Sequence, residues 1–218
     1  HTLCQDSSLQ RGKDSPARLS MNGEPMAQFL NLSAFAEEML VHENACVAID
    51  KDMPMDRAAL IGCSVITGSG SIFNACGLRP GETVAVVGAG GIGLSAINSA
   101  KIAGAGDIIA IDPVEAKREL ATQLGATKTF DAIEANVVEQ VIEATGGGVD
   151  YAVECVGRTD TTQTAWKVLR RGGKAVVVGM IPPGEMVEIH GPEFLQGKSI
   201  MGSLMGSGHF MRDMPRLV

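Results

Sequence analysis

The sequence has no cluster of lysines and arginines, no apolar run near the roughly 20 residues that span a bilayer, and no Cys-x-x-Cys pair. The missing basic patch, with a formal net charge of −7, excludes a phosphate-backbone partner, so nucleic acid is not expected. The missing apolar run excludes an integral membrane protein. The five cysteines, Cys4, Cys46, Cys63, Cys76 and Cys155, are odd in number and irregularly spaced, which reads as reduced thiols and a cytoplasmic location. No internal repeat, low-complexity tract or signal-peptide pattern is present. The chain opens on His1, and its last stretch, "FMRDMPRLV", reads as a helix just beginning, with Asp213 near its start. Both ends therefore read as those of a piece of a longer protein.

What is abundant is glycine, at 27 of 218 residues roughly twice the average share, as tight strand–helix turns require. From Thr83 onward, short β-branched runs alternate with helical periods, the signature of a parallel sheet built from βαβ units. Six strands are expected, at 83–88, 107–112, 127–131, 149–156, 174–179 and 198–204. Helices are expected between them. Gly93, Ala96, Ile97 and Ala100 share one helical face, as do Ala116, Leu120, Ala121 and Leu124; 136–145 and 159–170 supply two more. The fold class is α/β, a doubly wound parallel six-stranded sheet of the Rossmann type. Residues 1–56 break this rhythm: 36–50 reads as strand, turn and strand, and 55–78 as a helix with a Gly/Ser interruption.

Between the first strand and its helix lies "GAGGIG", a G-x-G-x-x-G match at Gly88, Gly90 and Gly93 with a further glycine at Gly91. The first glycine permits a tight turn, the second lets backbone amides approach a pyrophosphate, and the third lets helix and strand pack closely. The helix amino terminus then faces the phosphates with partial positive charge. A structural glycine turn explains the same residues without a ligand. The second strand ends on Asp112, 19 residues after Gly93, where a carboxylate can accept hydrogen bonds from both ribose hydroxyls of NAD and repel the 2′-phosphate of NADP. Pro113, Val114 and Glu115 bring no cation nearby. Asp112 also reads as a helix N-cap with Pro113 at the first helical position, and both roles can hold together. Lys117, one turn on, is within reach of the ribose or phosphate, or is simply solvated. A methyltransferase, reading the adenosine of a sulfonium cofactor, shares these two features.

The stretch from "IGCSVITGSG" through "VVGAGGIG" to "IAID", continued by "VECVGR", "VVVGMIPPG" and "GSLMGSGHFMRDMPRLV", resembles the zinc-dependent alcohol dehydrogenases of the medium-chain dehydrogenase/reductase family. The resemblance implies that residues 1–56 are a remnant of a β-rich, GroES-like catalytic domain and 57–218 an NAD-binding Rossmann domain. It implies roles position by position. Cys63 would be one ligand of a catalytic zinc and Cys4 the last of four cysteines around a structural zinc. Thr67 would lie against the nicotinamide with Ile92 behind the ring. Val178, Gly179, Met180, Ser203 and Met205 would serve the carboxamide end, and Val156, Gly157 and Arg158 would border the adenosine half.

A catalytic zinc needs three protein ligands and an open position, and the chain offers only Cys63 at a matching place; His42 and His190 do not match. The activity implied for the complete enzyme is zinc-assisted hydride transfer between an alcohol or aldehyde and NAD, with the isolated chain inactive. A zinc-free quinone reductase and a non-catalytic nucleotide-binding module remain alternatives. The family's sheet edges near 185–190 and 198–204 imply a homodimer, or a tetramer.

Overall fold

The computed structural model describes residues 15–28, 32 and 34–217. Its centre is a parallel sheet of six strands, β3 (Val84–Val87), β4 (Ile108–Ile111), β5 (Lys128–Phe130), β6 (Val149–Glu154), β7 (Leu169–Val177) and β8 (Ser199–Gly202), in the order β5-β4-β3-β6-β7-β8. All six expected strands form. Each side chain along β3 points to the opposite face from the last, so Val84 and Val86 join one core layer while Ala85 and Val87 join the other. The two-sided burial explains why these strands read as unbroken apolar runs.

One layer is covered by α3 (Gly91–Ile102) and α4 (Glu115–Leu124), the other by α5 (Val137–Ala144) and α6 (Thr159–Lys167). Gly93, Ala96, Ile97 and Ala100 are all buried, as the helical period requires. In α4 the expected face is only half realised: Ala121 is buried and Leu124 packs on the core, but Ala116 and Leu120 are exposed. The helix expected over 159–170 stops at Lys167, because residues from Leu169 join β7 beside Val149.

Before the sheet runs one unbroken helical rod, Met55–Cys76. It comprises α1 (Met55–Leu60), a π-helical turn Ile61–Val65, α2 (Ile66–Gly70) and a second π-helical segment Ser71–Cys76, ending on left-handed Gly77. The expected Gly/Ser interruption is absent because the small residues serve contact. A Cβ on Gly68 would stand 2.3 Å from Ile92 O and 2.7 Å from Ser95 Cβ, so glycine lets the rod lie directly on α3. By length and a mean hydropathy of 1.4 over an 18-residue window the rod could cross a membrane, contrary to the expectation that no apolar run nears spanning length; over half of that window is buried, as in a core helix.

The segment 36–50 contains no strand. A single 3-10 turn, Glu43–Ala45, is capped by His42 Nδ1, which accepts from Asn44 N at 3.1 Å. Strands require a neighbouring ladder, and no described strand flanks this stretch. The β structure in this part is instead a hairpin of β1 (Leu19–Met21) and β2 (Glu24–Met26), turned at Asn22-Gly23 with both residues at positive φ, the favoured two-residue hairpin turn. The closing segment holds one turn of helix, α7 (Phe210–Asp213), continued by a 3-10 turn, Met214–Arg216.

At the amino ends of the strands, Asp150 Oδ2 accepts from Thr83 N and Thr83 Oγ1, both at 2.8 Å, and Oδ1 accepts from Arg170 Nε at 2.7 Å. Burial opposes the charge, but the Thr83 and Arg170 donors outweigh it and hold the carboxyl below its ordinary 3.8. The unfolded chain therefore binds this proton more readily than the native one. The clip's stabilisation is present above the ordinary value and is lost as pH falls through the lower native value. Asp150→Asn is expected to lose about 2 kcal/mol at pH 7. In urea titrations the gap to wild type should narrow below pH 3.8; a gap independent of pH would contradict the charge-based account.

Candidate dinucleotide site

The chain reverses direction across the sheet between β4-β3 and β6, and the crevice at the carboxyl ends of β3 and β6 is the switch point at which open α/β sheets bind ligands. The loop Gly88–Gly93 fills it. Gly88 has φ +95°, and a Cβ there would come within 2.5 Å of Val156 Cγ2. At Gly93 a Cβ would lie 1.8 Å from Gly88 O, closer than any packing allows. Gly90, the N-cap of α3, is different: its Cβ would meet nothing within 4 Å. Two glycines are thus demanded by the fold, while the third faces open space at the amino terminus of a 12-residue helix. That combination fits a diphosphate, which needs free amides and room in front of them.

Asp112 is 3% exposed. Its Oδ2 accepts from Ala89 N at 2.8 Å and its Oδ1 from Val114 N at 2.9 Å, so the carboxylate ties the glycine loop to the end of β4. The helix N-cap role is not observed. α4 begins at Glu115, its cap position is Val114, and Pro113 precedes the helix. Each carboxylate oxygen has a second lone pair left for a ribose hydroxyl. A cation does lie nearby, one helical turn beyond 113–115: Arg118 Nη1 donates to Asp112 O at 2.7 Å and pairs with Asp131 at 3.3 Å. Lys117 is exposed on the first turn of α4.

From β6, Cys155 N donates to Val87 O at 2.9 Å, placing Val156, Gly157 and Arg158 beside the loop. Glu154 fixes this corner. It is fully buried, and its Oε1 accepts from Val156 N (2.9 Å), Gly157 N (2.7 Å) and Thr161 Oγ1 (2.7 Å). Its carbonyl accepts from Val178 N and Gly179 N, joining the end of β7. Gly157, at φ +87°, lies against the Met180 backbone, 2.6 Å from where a Cβ would stand. Nothing in the sequence singled out Glu154; an acidic residue closing an apolar strand, as Asp112 does, was the available signal. Arg158 is exposed and forms a two-bond pair with Asp160. Gly157, Arg158, Thr159 and Asp160, with Pro182 and Glu185, line a cleft of about 410 Å³.

The rod completes the crevice. A Cβ on Gly91 would lie 3.3 Å from Ser64 Cβ, and buried Thr67 donates through Oγ1 to Met205 Sδ at 3.7 Å. Ser203 N donates to Val177 O at 2.9 Å, setting 203–205 beside the end of β7. Ile92 is half-buried on the first turn of α3. The glycine loop, 154–158, 178–180, 203–205 and Thr67 are therefore brought to one end of the sheet.

The metal ligands are not brought together. Cys63 is an exposed free thiol in the first π-helical turn, and among the described residues no group of three His, Cys, Asp or Glu could hold a metal ion. Cys4 lies outside the described residues. The described residues thus form no zinc site. Burial pushes the Cys76 thiol up to about 12 and raises that of Cys155, so both remain protonated.

A family model described as zinc-binding dehydrogenase matches residues 91–218. An S-(hydroxymethyl)glutathione dehydrogenase of Synechocystis sp. is 33% identical, the alignment covering 99% of this chain and 60% of that protein. An alcohol dehydrogenase zinc-binding domain protein from Burkholderia ambifaria superposes with a TM-score of 0.85 at 36% identity, over 89% of this chain and 53% of that one. A benzyl alcohol dehydrogenase from Acinetobacter calcoaceticus does so at 0.84 and 37%, over 87% and 52%. The chain spans between about half and three-fifths of the length of these relatives.

Proposed function

Because the chain belongs to the zinc-binding dehydrogenase family, we propose that it is the coenzyme-binding portion of an NAD-dependent, zinc-dependent alcohol dehydrogenase. In this reading residues 57–218 form the NAD-binding domain and 1–56 belong to the catalytic domain. The observation that carries the reading is the open space before Gly90, framed by Gly88 and Gly93 at the switch point. The amides of Gly91, Ile92 and Gly93 would hold the diphosphate, and Asp112 the adenine-side ribose, with Lys117 beside it. Val156, Gly157 and Arg158 would border the adenosine half, while Val178, Gly179, Met180, Ser203 and Met205 would receive the carboxamide and Thr67 the ring. When bound, the coenzyme supplies a hydride acceptor or donor at its nicotinamide. What this chain contributes is orientation, since fixing a reactant in place removes much of the entropic barrier.

A catalytic zinc would take Cys63 as one ligand, and since the described residues offer no set of three, no step is assigned to the metal. The substrate is an alcohol or aldehyde and the location cytoplasmic. The edge strand β8 with exposed Met201 and the nearby Leu204 supports pairing with a second copy into a homodimer. In thermal unfolding, NADH at about 100 times its Kd is expected to stabilise the chain by about 2.7 kcal/mol, or roughly 5–10 °C. NADPH and a sulfonium nucleoside at the same concentration should give far less. An equal shift with the sulfonium nucleoside would favour a methyltransferase instead.

A further inference from the structure

Beyond β8 the backbone does something costly. Met205, Gly206 and Ser207 stand consecutively in the left-handed region, at φ 49°, 73° and 52°. For methionine and serine this conformation costs about 1–2 kcal/mol each and persists only where the surroundings enforce it. The enforcement comes from the rod. Gly206 lies on Ile66 O, 2.4 Å from where its Cβ would stand, and a Cβ on Gly70 would come within 2.3 Å of Gly206 O. Thr67 Oγ1 reaches Met205 Sδ, Ser203 Oγ and Ser207 Oγ share a hydrogen bond at 2.9 Å, and Asn74 Nδ2 donates to Gly206 O at 3.0 Å. Asn74 sits on the second π-helical segment, and its hydrogen bond runs to Gly206, which is not among the residues assigned to the coenzyme.

Since Asp112 marks the adenine-side end over β4, a dinucleotide laid across the switch point runs its other half over β6, β7 and β8. The left-handed turn is at that far end. We propose that Asn74 is a positioning residue for the nicotinamide half: its bond to Gly206 O holds the strained turn, and the turn fixes the Ser203–Met205 backbone that receives the carboxamide. This rests on the coenzyme reading above. Its distinguishing consequence is that only the ring half of the ligand senses Asn74.

The experiment compares NADH with ADP-ribose, which lacks the nicotinamide, by calorimetry on the full chain carrying Asn74→Leu or Asn74→Asp, neither of which can donate to Gly206 O as asparagine does. Both variants are expected to weaken NADH about 10-fold and to leave ADP-ribose within about 2-fold of wild type. Gly206→Ala, which forces a Cβ against Ile66 O, should show the same ring-specific loss by a separate route. Asn74→Gln, which keeps the donor, should recover part of the affinity. Unchanged NADH affinity in the Asn74 variants, or equal losses for both ligands, would overturn the positioning role while leaving the coenzyme reading intact. Wild-type protein that binds neither ligand would overturn both.

Discussion

Alanine at position 93 is expected to weaken NADH binding by at least about 100-fold, or 2.7 kcal/mol, and to destabilise the fold by about 3 kcal/mol, as overpacking against an immobile neighbour does. The neighbour is backbone: the new methyl would stand 1.8 Å from Gly88 O, so either the turn after β3 or the first turn of α3 must move. The first turn of α3 carries the amides proposed to hold the diphosphate, and the turn after β3 sets where that helix starts. Gly90→Ala should behave differently. Its methyl meets nothing within 4 Å, so the melting temperature should stay within about 2–4 °C, yet the methyl occupies the space in front of α3 and NADH affinity should still fall. A fluorescence titration and a melting curve on each variant check the pair. If Gly90→Ala bound NADH as wild type does, the open space would not be the diphosphate's.

The second large effect concerns Asp112. Asp112→Asn keeps the shape but removes the charge and sets an amide against the Ala89 or Val114 N–H that the carboxylate now satisfies. NADH affinity should fall about 30–100-fold, the worth of charge-assisted hydrogen bonds to a ribose. A purely structural role would weaken NADH and NADPH alike. The ribose role predicts instead that the preference for NADH over NADPH shrinks, because the variant no longer repels a 2′-phosphate and Arg118 stands close to the strand end. Measuring both dissociation constants separates the two roles.

The sheet was legible because burial on both faces leaves strand-length apolar runs, and the glycine loop because sterics at Gly88 and Gly93 admit no other residue. Features set by tertiary contact were not legible. Gly68 and Gly70 read as helix breakers, yet they are where the rod meets α3 and the left-handed turn. Ala116 and Leu120 fit a helical face but lie away from the sheet. The strands expected in 36–50 have the right residue types and no ladder to join, whereas the Asn22-Gly23 hairpin carried a usable signal. Glu154 and Asn74 act through hydrogen bonds to backbone far along the chain or around a corner. No periodicity records such bonds. Metal ligation was legible as Cys63 and Cys4; Cys4 lies outside the described residues, and these add no cluster around Cys63.

A crystal structure of the full chain with NADH tests the central claim most directly. Diphosphate oxygens are expected within about 3 Å of the amide nitrogens of Gly91–Gly93, with the adenine-side ribose hydroxyls on Asp112. A coenzyme bound with its diphosphate away from these amides, or with Asp112 facing no hydroxyl, would contradict it.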